Sequence, residues 1–139
     1  MHVLLIILAL VLLPHSAAAE TLHGHGKVTD GDTLRVGGVA VRLQGIAAPE
    51  MDESGGSAAK AYLRELAEGR TVVCALTGER THGRRVGTCW VDSQDLAEAV
   101  IAAGLARDCP RFSGGRYAGV EQPEAAELPL PGYCRPRRR

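Results

Sequence analysis

The chain has 139 residues, enough for one small domain with a modest core and too few for two. Lysine plus arginine number 16, and so do aspartate plus glutamate, which excludes the strongly basic surface by which non-specific nucleic-acid binders attract phosphate. Four cysteines in so small a chain point to an oxidising compartment rather than the cytosol.

Residues 3–13 are continuously apolar, and Ala17-Ala18-Ala19 supplies a small-residue cleavage site before Glu20. The run falls short of the roughly 20 residues that cross a bilayer. Residues 1–19 therefore read as a cleaved export signal, 20–134 as the domain and 135–139 as a basic tail; a retained anchor is the alternative, because no lysine or arginine flanks the apolar run. The expected product is a periplasmic or secreted monomer with no stable membrane association.

In the domain, residues 26–29, 34–36 and 39–43 are short β-prone runs, and Gly37-Gly38 between the last two is a hairpin signal. Alternation puts Val39, Val41 and Leu43 on one face and Arg42 and Gln44 on the other, so Arg42 is outside the core by parity. Residues 57–68 follow as an amphipathic helix, with Ala59, Tyr62, Leu63, Leu66 and Ala67 at helical spacing, Ser57 as a candidate cap and Gly69 as a stop. Residues 71–76 and 86–91 are two further strands, and the polar stretch 77–85 reads as the loop between them. A second helix covers about 95–103 and ends at Gly104. Beyond it, Gly114-Gly115, Pro123, Pro129 and Pro131 forbid an uninterrupted helix, leaving room for one helical turn at 124–128.

The four thiols, Cys74, Cys89, Cys109 and Cys134, allow three connectivities. Spacing favours Cys74 with Cys89 and Cys109 with Cys134, because the first pair lies on consecutive strands where opposed Cβ atoms come within bridging range. A loop of about 15 residues closed in this way contributes on the order of 3 kcal/mol. Zinc ligation is the rival use of four thiols, and the absence of any Cys-x-x-Cys pair argues against it.

Three stretches carry chemistry: Asp30-Gly31-Asp32-Thr33, then Val41-Arg42-Leu43-Gln44-Gly45-Ile46-Ala47-Ala48-Pro49-Glu50, then His82-Gly83-Arg84. They offer carboxylates at a tight turn, a glutamate aimed by the proline before it, and two arginines. Arginine stays protonated and donates two parallel hydrogen bonds to a phosphate. Phosphodiester hydrolysis needs that positive charge on the phosphoryl oxygens, together with an activated water.

In wording and order these stretches resemble the staphylococcal nuclease (thermonuclease) family, over roughly residues 26–107. The resemblance implies an α+β, mainly β fold: a five-stranded barrel of the oligonucleotide-binding (OB) type with two helices, here followed by an irregular C-terminal segment stapled by a disulfide. It implies nuclease activity on DNA or RNA, with Arg42 and Arg84 holding the scissile phosphate and Glu50 acting as general base on the attacking water. It also implies calcium, or another divalent cation, held by Asp32 and the backbone carbonyl of Ala48, with Asp30 as an additional candidate. Two positions depart from the family pattern. Ala47 stands where the family has a metal-binding aspartate, which weakens a cation dependent on carboxylate oxygens. His82 replaces a tyrosine, and remains able to hydrogen-bond a phosphate.

The alternative is a catalytically inactive module of the same fold that binds nucleic acid or a protein partner. Such binders stack bases on aromatic rings in a positive groove. The few aromatics here, Tyr62, Trp90, Phe112, Tyr117 and Tyr133, are expected mostly on helix, core or tail, which favours the enzyme.

Overall fold

The computed structural model describes residues 18–137, so all but the last two residues of the expected leader, and the end of the tail, lie outside it. The strands are β1 (Thr21–Asp30), β2 (Thr33–Val36), β3 (Val39–Leu43), β4 (Ile46–Ala47), β5 (Thr71–Thr81), β6 (Arg84–Val91), β7 (Gln94–Asp95) and β8 (Arg107–Asp108). The helices are α1 (Gly56–Ala67), α2 (Leu96–Ala102) and the one-turn α3 (Pro110–Ser113). None of the described helices is long and apolar enough to cross a membrane.

β1, β2 and β3 form an antiparallel meander, Leu34 lying opposite Val41 across β2 and β3. Its second turn uses Gly37 and Gly38 at φ 56° and 85°, the left-handed pair that a two-residue hairpin loop requires. β5 pairs antiparallel with both β1 and β6. β6 then pairs in parallel with β3, Arg42 opposite Val86, so that the five long strands curl round and meet. The fold is mainly β and OB-like, as the strand pattern and the resemblance led one to expect.

The inward positions of these strands make the core. Leu34, Val36, Val41 and Leu43 are wholly buried, as are Leu63 of α1 and Leu96 and Ile101 of α2. Each leucine so buried is worth about 2 kcal/mol. Parity places Val41 and Leu43 inward correctly, whereas Val39, beside the Gly37-Gly38 turn, is exposed.

Several local expectations need correction. Residues 77–85 are not a loop: β5 runs on to Thr81 and β6 starts at Arg84, joined by His82 and Gly83 at φ 49° and 76°. The exposed residues 77–80 extend the hairpin beyond the core, where no buried face marks them as strand. Ser57 does not cap α1; Gly55 does, through a backbone at φ 93° that favours glycine, with no side-chain cap. Among the described residues there are three α-helices rather than two, and the short β4–β8 and β6–β7 pairings were not anticipated.

Cys74 and Cys89 face each other across β5 and β6 and are bonded. Cys109 and Cys134 form the second disulfide, so both expected pairings hold. The segment between them is irregular, with 3-10 turns at Pro123–Glu127 and Gly132–Cys134. Asp95 ties this segment to the domain. One of its oxygens caps α2 by accepting from the amides of Ala97 and Glu98; the other accepts from the buried Tyr117 hydroxyl at 2.9 Å and from Arg116 at 3.0 Å.

Candidate active site

The turn Asp30–Thr33 between β1 and β2 is wedged against the domain. A Cβ at Gly31 would lie 2.6 Å from the Ala59 methyl and 2.8 Å from that of Ala48, so only glycine lets the turn sit between α1 and the loop after β4. That contact pushes Asp32 inward until only 8% of it is exposed. Its carboxylate is fully engaged: one oxygen accepts from the Thr33 hydroxyl at 3.1 Å, and the other faces Arg42 Nη2 at 3.1 Å and the Ala48 amide at 3.4 Å. Burial pushes the Asp32 carboxyl up to about 6, the Asp30 charge adding to the effect and Arg42 opposing it. Asp30 accepts from the Asp32 amide, the usual part of an aspartate in a turn.

Arg42 is on the outer face of β3, as parity requires, yet its side chain is only 13% exposed because the Asp32 turn and β4 cover it. Its guanidinium donates to the carbonyls of Leu43 at 2.6 Å and Ile46 at 2.8 Å, bracing the turn at Gly45. Arg84 leaves the His82-Gly83 turn and donates through Nη1 to Thr33 Oγ1 at 2.9 Å and through Nε to the Thr81 carbonyl at 3.3 Å. The two arginines are thus linked by a single polar chain, Arg84 to Thr33 to Asp32 to Arg42. Only Arg42 has a carboxylate in it. Among the described residues no acidic group lies within ion-pair distance of Arg84.

Glu50 follows Pro49 and is exposed; its amide donates to Glu53 Oε1 at 2.8 Å, and the Glu53 amide donates back to the Glu50 carbonyl at 2.9 Å, which locks the turn that carries it. A Cβ at Gly56 would meet the Glu50 carbonyl at 2.0 Å, so the start of α1 packs directly on this turn. Asp30, Asp32, Arg42, Glu50, His82 and Arg84 all line one cleft of about 750 Å³. Of the expected site residues Ala48 alone is not on its wall, and it is the Ala48 amide that faces Asp32.

Among the wall residues that sequence reasoning missed are Arg80 and Glu79, from the unexpected end of β5, and two aromatics. Phe112 and Tyr133, 42% and 50% exposed, stand at the rim with ring centroids 6.5 Å apart. The Cys109–Cys134 bond brings them together, for one lies three residues after the first cysteine and the other immediately before the second. The cysteine pairing was the signal that could have found them.

The donor set does not fit the calcium that the resemblance implies. Ala47 is 1% exposed and packs with Cys109, Cys134 and Leu130 in a small apolar cluster of its own. Asp32 already has protein donors on both oxygens, and among the described residues no group of three or more histidine, cysteine or acidic side chains converges as a metal site would need. Calcium takes six to eight oxygens, and this cleft does not present them.

Comparison with known proteins agrees with the geometry. Residues 40–127 match the family described as staphylococcal nuclease homologue. The chain is also 35% identical over 129 aligned residues to the succinoglycan biosynthesis protein ExoI of Rhizobium meliloti (strain 1021), the match covering 84% of this chain and 68% of that one. With its fold, its two motif arginines and more than half its length in agreement, the chain belongs to the staphylococcal nuclease family.

Proposed function

We propose that the protein is an exported nuclease that hydrolyses phosphodiester bonds of DNA or RNA in the cleft between the Asp32 turn and the His82-Gly83 turn. The observation that carries this reading is Arg84, a fixed guanidinium without a carboxylate partner, facing the same space as Arg42 and Glu50. A phosphate entering there meets Arg84 first and the remaining Arg42 donors behind it, with His82 as a further hydrogen-bonding group. Glu50 takes a proton from a water aligned with phosphorus. The new bond forms from that water's oxygen, the bond to the leaving oxygen breaks, and the leaving oxygen takes a proton from solvent. The arginines balance the charge that gathers on the phosphoryl oxygens in between. Phe112 and Tyr133 offer faces for unpaired bases, a contact worth about 1–3 kcal/mol per base.

The domain is taken as 20–134, after a leader at 1–19 and before the basic tail 135–139. Two disulfides support export, since such bonds persist in oxidising compartments. The metal-assisted form of the reaction would have only Asp32, Asp30 and the Ala48 carbonyl to draw on, and no step above depends on it.

The second reading, an inactive module that binds nucleic acid or a protein partner, is favoured by Ala47 and by the use of Arg42 donors on backbone carbonyls. Incubation with end-labelled single- and double-stranded DNA and RNA, with chelator and with several divalent ions, separates the two. Cleavage by the wild type and its loss in Glu50→Gln is the expected outcome. Binding without cleavage in every buffer selects the second reading.

A further inference from the structure

The same cleft holds a positive charge where its family relatives are expected to hold a metal ion. One Asp32 oxygen and the carbonyls of Leu43 and Ile46 surround the Arg42 guanidinium at 3.1, 2.6 and 2.8 Å. A carboxylate oxygen with peptide oxygens is the donor chemistry of a hard cation site. Here an arginine fills it. The place where a second carboxylate would join them is closed as well, because the Ala47 methyl is sealed by the Cys109–Cys134 disulfide and Leu130. A divalent ion at Asp32 would therefore displace a guanidinium with three partners, or sit against it as a like charge, with Asp30 the one neighbouring carboxylate to add.

We infer that Arg42 is the resident cation of this site and that the cleft binds a phosphodiester without a divalent metal ion. Asp32 then acts as a positioning residue: it holds Arg42 and, through Thr33, Arg84, at a fixed spacing, and ligates nothing else. The inference rests on the proposed action on nucleic acid and specifies how the charge of the substrate is met.

The test uses the disulfide-bonded protein with two probes, calcium alone and a fluorescently labelled single-stranded oligonucleotide. Calcium titration by calorimetry should give no saturable heat, and calcium at about millimolar concentration should leave Tm unchanged, since an ion that binds the native state must raise it. Oligonucleotide affinity, read by anisotropy, should agree within about twofold between chelator and calcium buffers; loss of one charge-assisted donor pair in Arg42→Gln should weaken it roughly tenfold in both. Asp32→Asn loosens the spacing of the two arginines while leaving Arg42 its two carbonyl partners, so it should weaken binding by the same factor in chelator and in calcium. One-to-one calcium binding that disappears in Asp32→Asn, or oligonucleotide binding seen only with calcium, overturns the inference and leaves the proposed function standing. Absence of oligonucleotide binding in either buffer removes both.

Discussion

Asp32→Asn is also a test of electrostatics that needs no substrate. With burial raising the carboxyl to about 6 from an ordinary value near 3.8, the folded protein holds a proton that the unfolded chain has released across that window. Stability owed to the group is therefore fully present below about pH 4 and is lost as pH rises through about 6. A separation of about two pH units is worth about 3 kcal/mol, or on the order of 10 °C in Tm for a domain of this size. Asparagine does not titrate, and the variant leaves Arg42 its Leu43 and Ile46 carbonyls, so the guanidinium is not orphaned. Urea unfolding of both proteins from pH 4 to pH 8 isolates Asp32 together with its coupling to Asp30, since the other titrating groups are common to the two. The wild type should lose ground to Asp32→Asn as pH rises from about 4 to about 6, the difference levelling off above that. A flat difference would refute the reasoning. So would one of opposite sign, for it would mean that the Arg42 charge outweighs burial.

Three further outcomes are expected. Mass measurement without reductant should show four hydrogens missing and peptides joining Cys74 to Cys89 and Cys109 to Cys134; replacing Cys74 and Cys89 by alanine should lower unfolding free energy by about 3 kcal/mol in urea, the value for a 15-residue loop. Arg84→Ala should cut hydrolysis about 100-fold or more while its melting curve stays within about 2 °C of wild type, because its side-chain partners are a hydroxyl and a carbonyl at the barrel rim; unchanged turnover would remove it from the site. Ala47→Asp should destabilise the protein by roughly 2 kcal/mol or more at neutral pH, a carboxylate being forced into the disulfide cluster, and a variant as stable as wild type in the same urea assay would show that the cluster can open.

Legibility followed burial. Wherever one face of an element meets the core, as in β3, α1 and α2, the spacing of apolar residues shows in the sequence. The disulfide between β5 and β6 was readable for a related reason, as opposed positions on neighbouring strands are geometrically paired. Where backbone hydrogen bonds alone hold the structure, the sequence is silent: the exposed end of the β5–β6 hairpin and the two-residue strands β4 and β8 have no periodic signal. The site shows the same division. Motif spacing picked out Asp32, Arg42, Glu50 and Arg84, which share one cleft. It did not disclose that Arg42 would be covered, because the covering turn comes from a different hairpin, nor that Phe112 and Tyr133 would meet at the rim.

The rim has a consequence for the order in which the molecule is made. Its two rings lie on opposite ends of a segment closed by Cys109 and Cys134, 25 residues apart, while the strands that carry both arginines and their polar chain are complete before Cys109 is reached. The arginine floor is thus a product of early chain and hydrogen bonding, and the aromatic wall a product of late chain and oxidation. A chain with Cys109 and Cys134 reduced should have the floor without the wall. Refolding from the reduced state should accordingly restore β-sheet circular dichroism before fluorescence reports Tyr133 against Phe112, and an oxidant should set the pace of the second event alone. Completion of the cleft is in this way coupled to oxidation of Cys109 and Cys134, the last link of the chain to close.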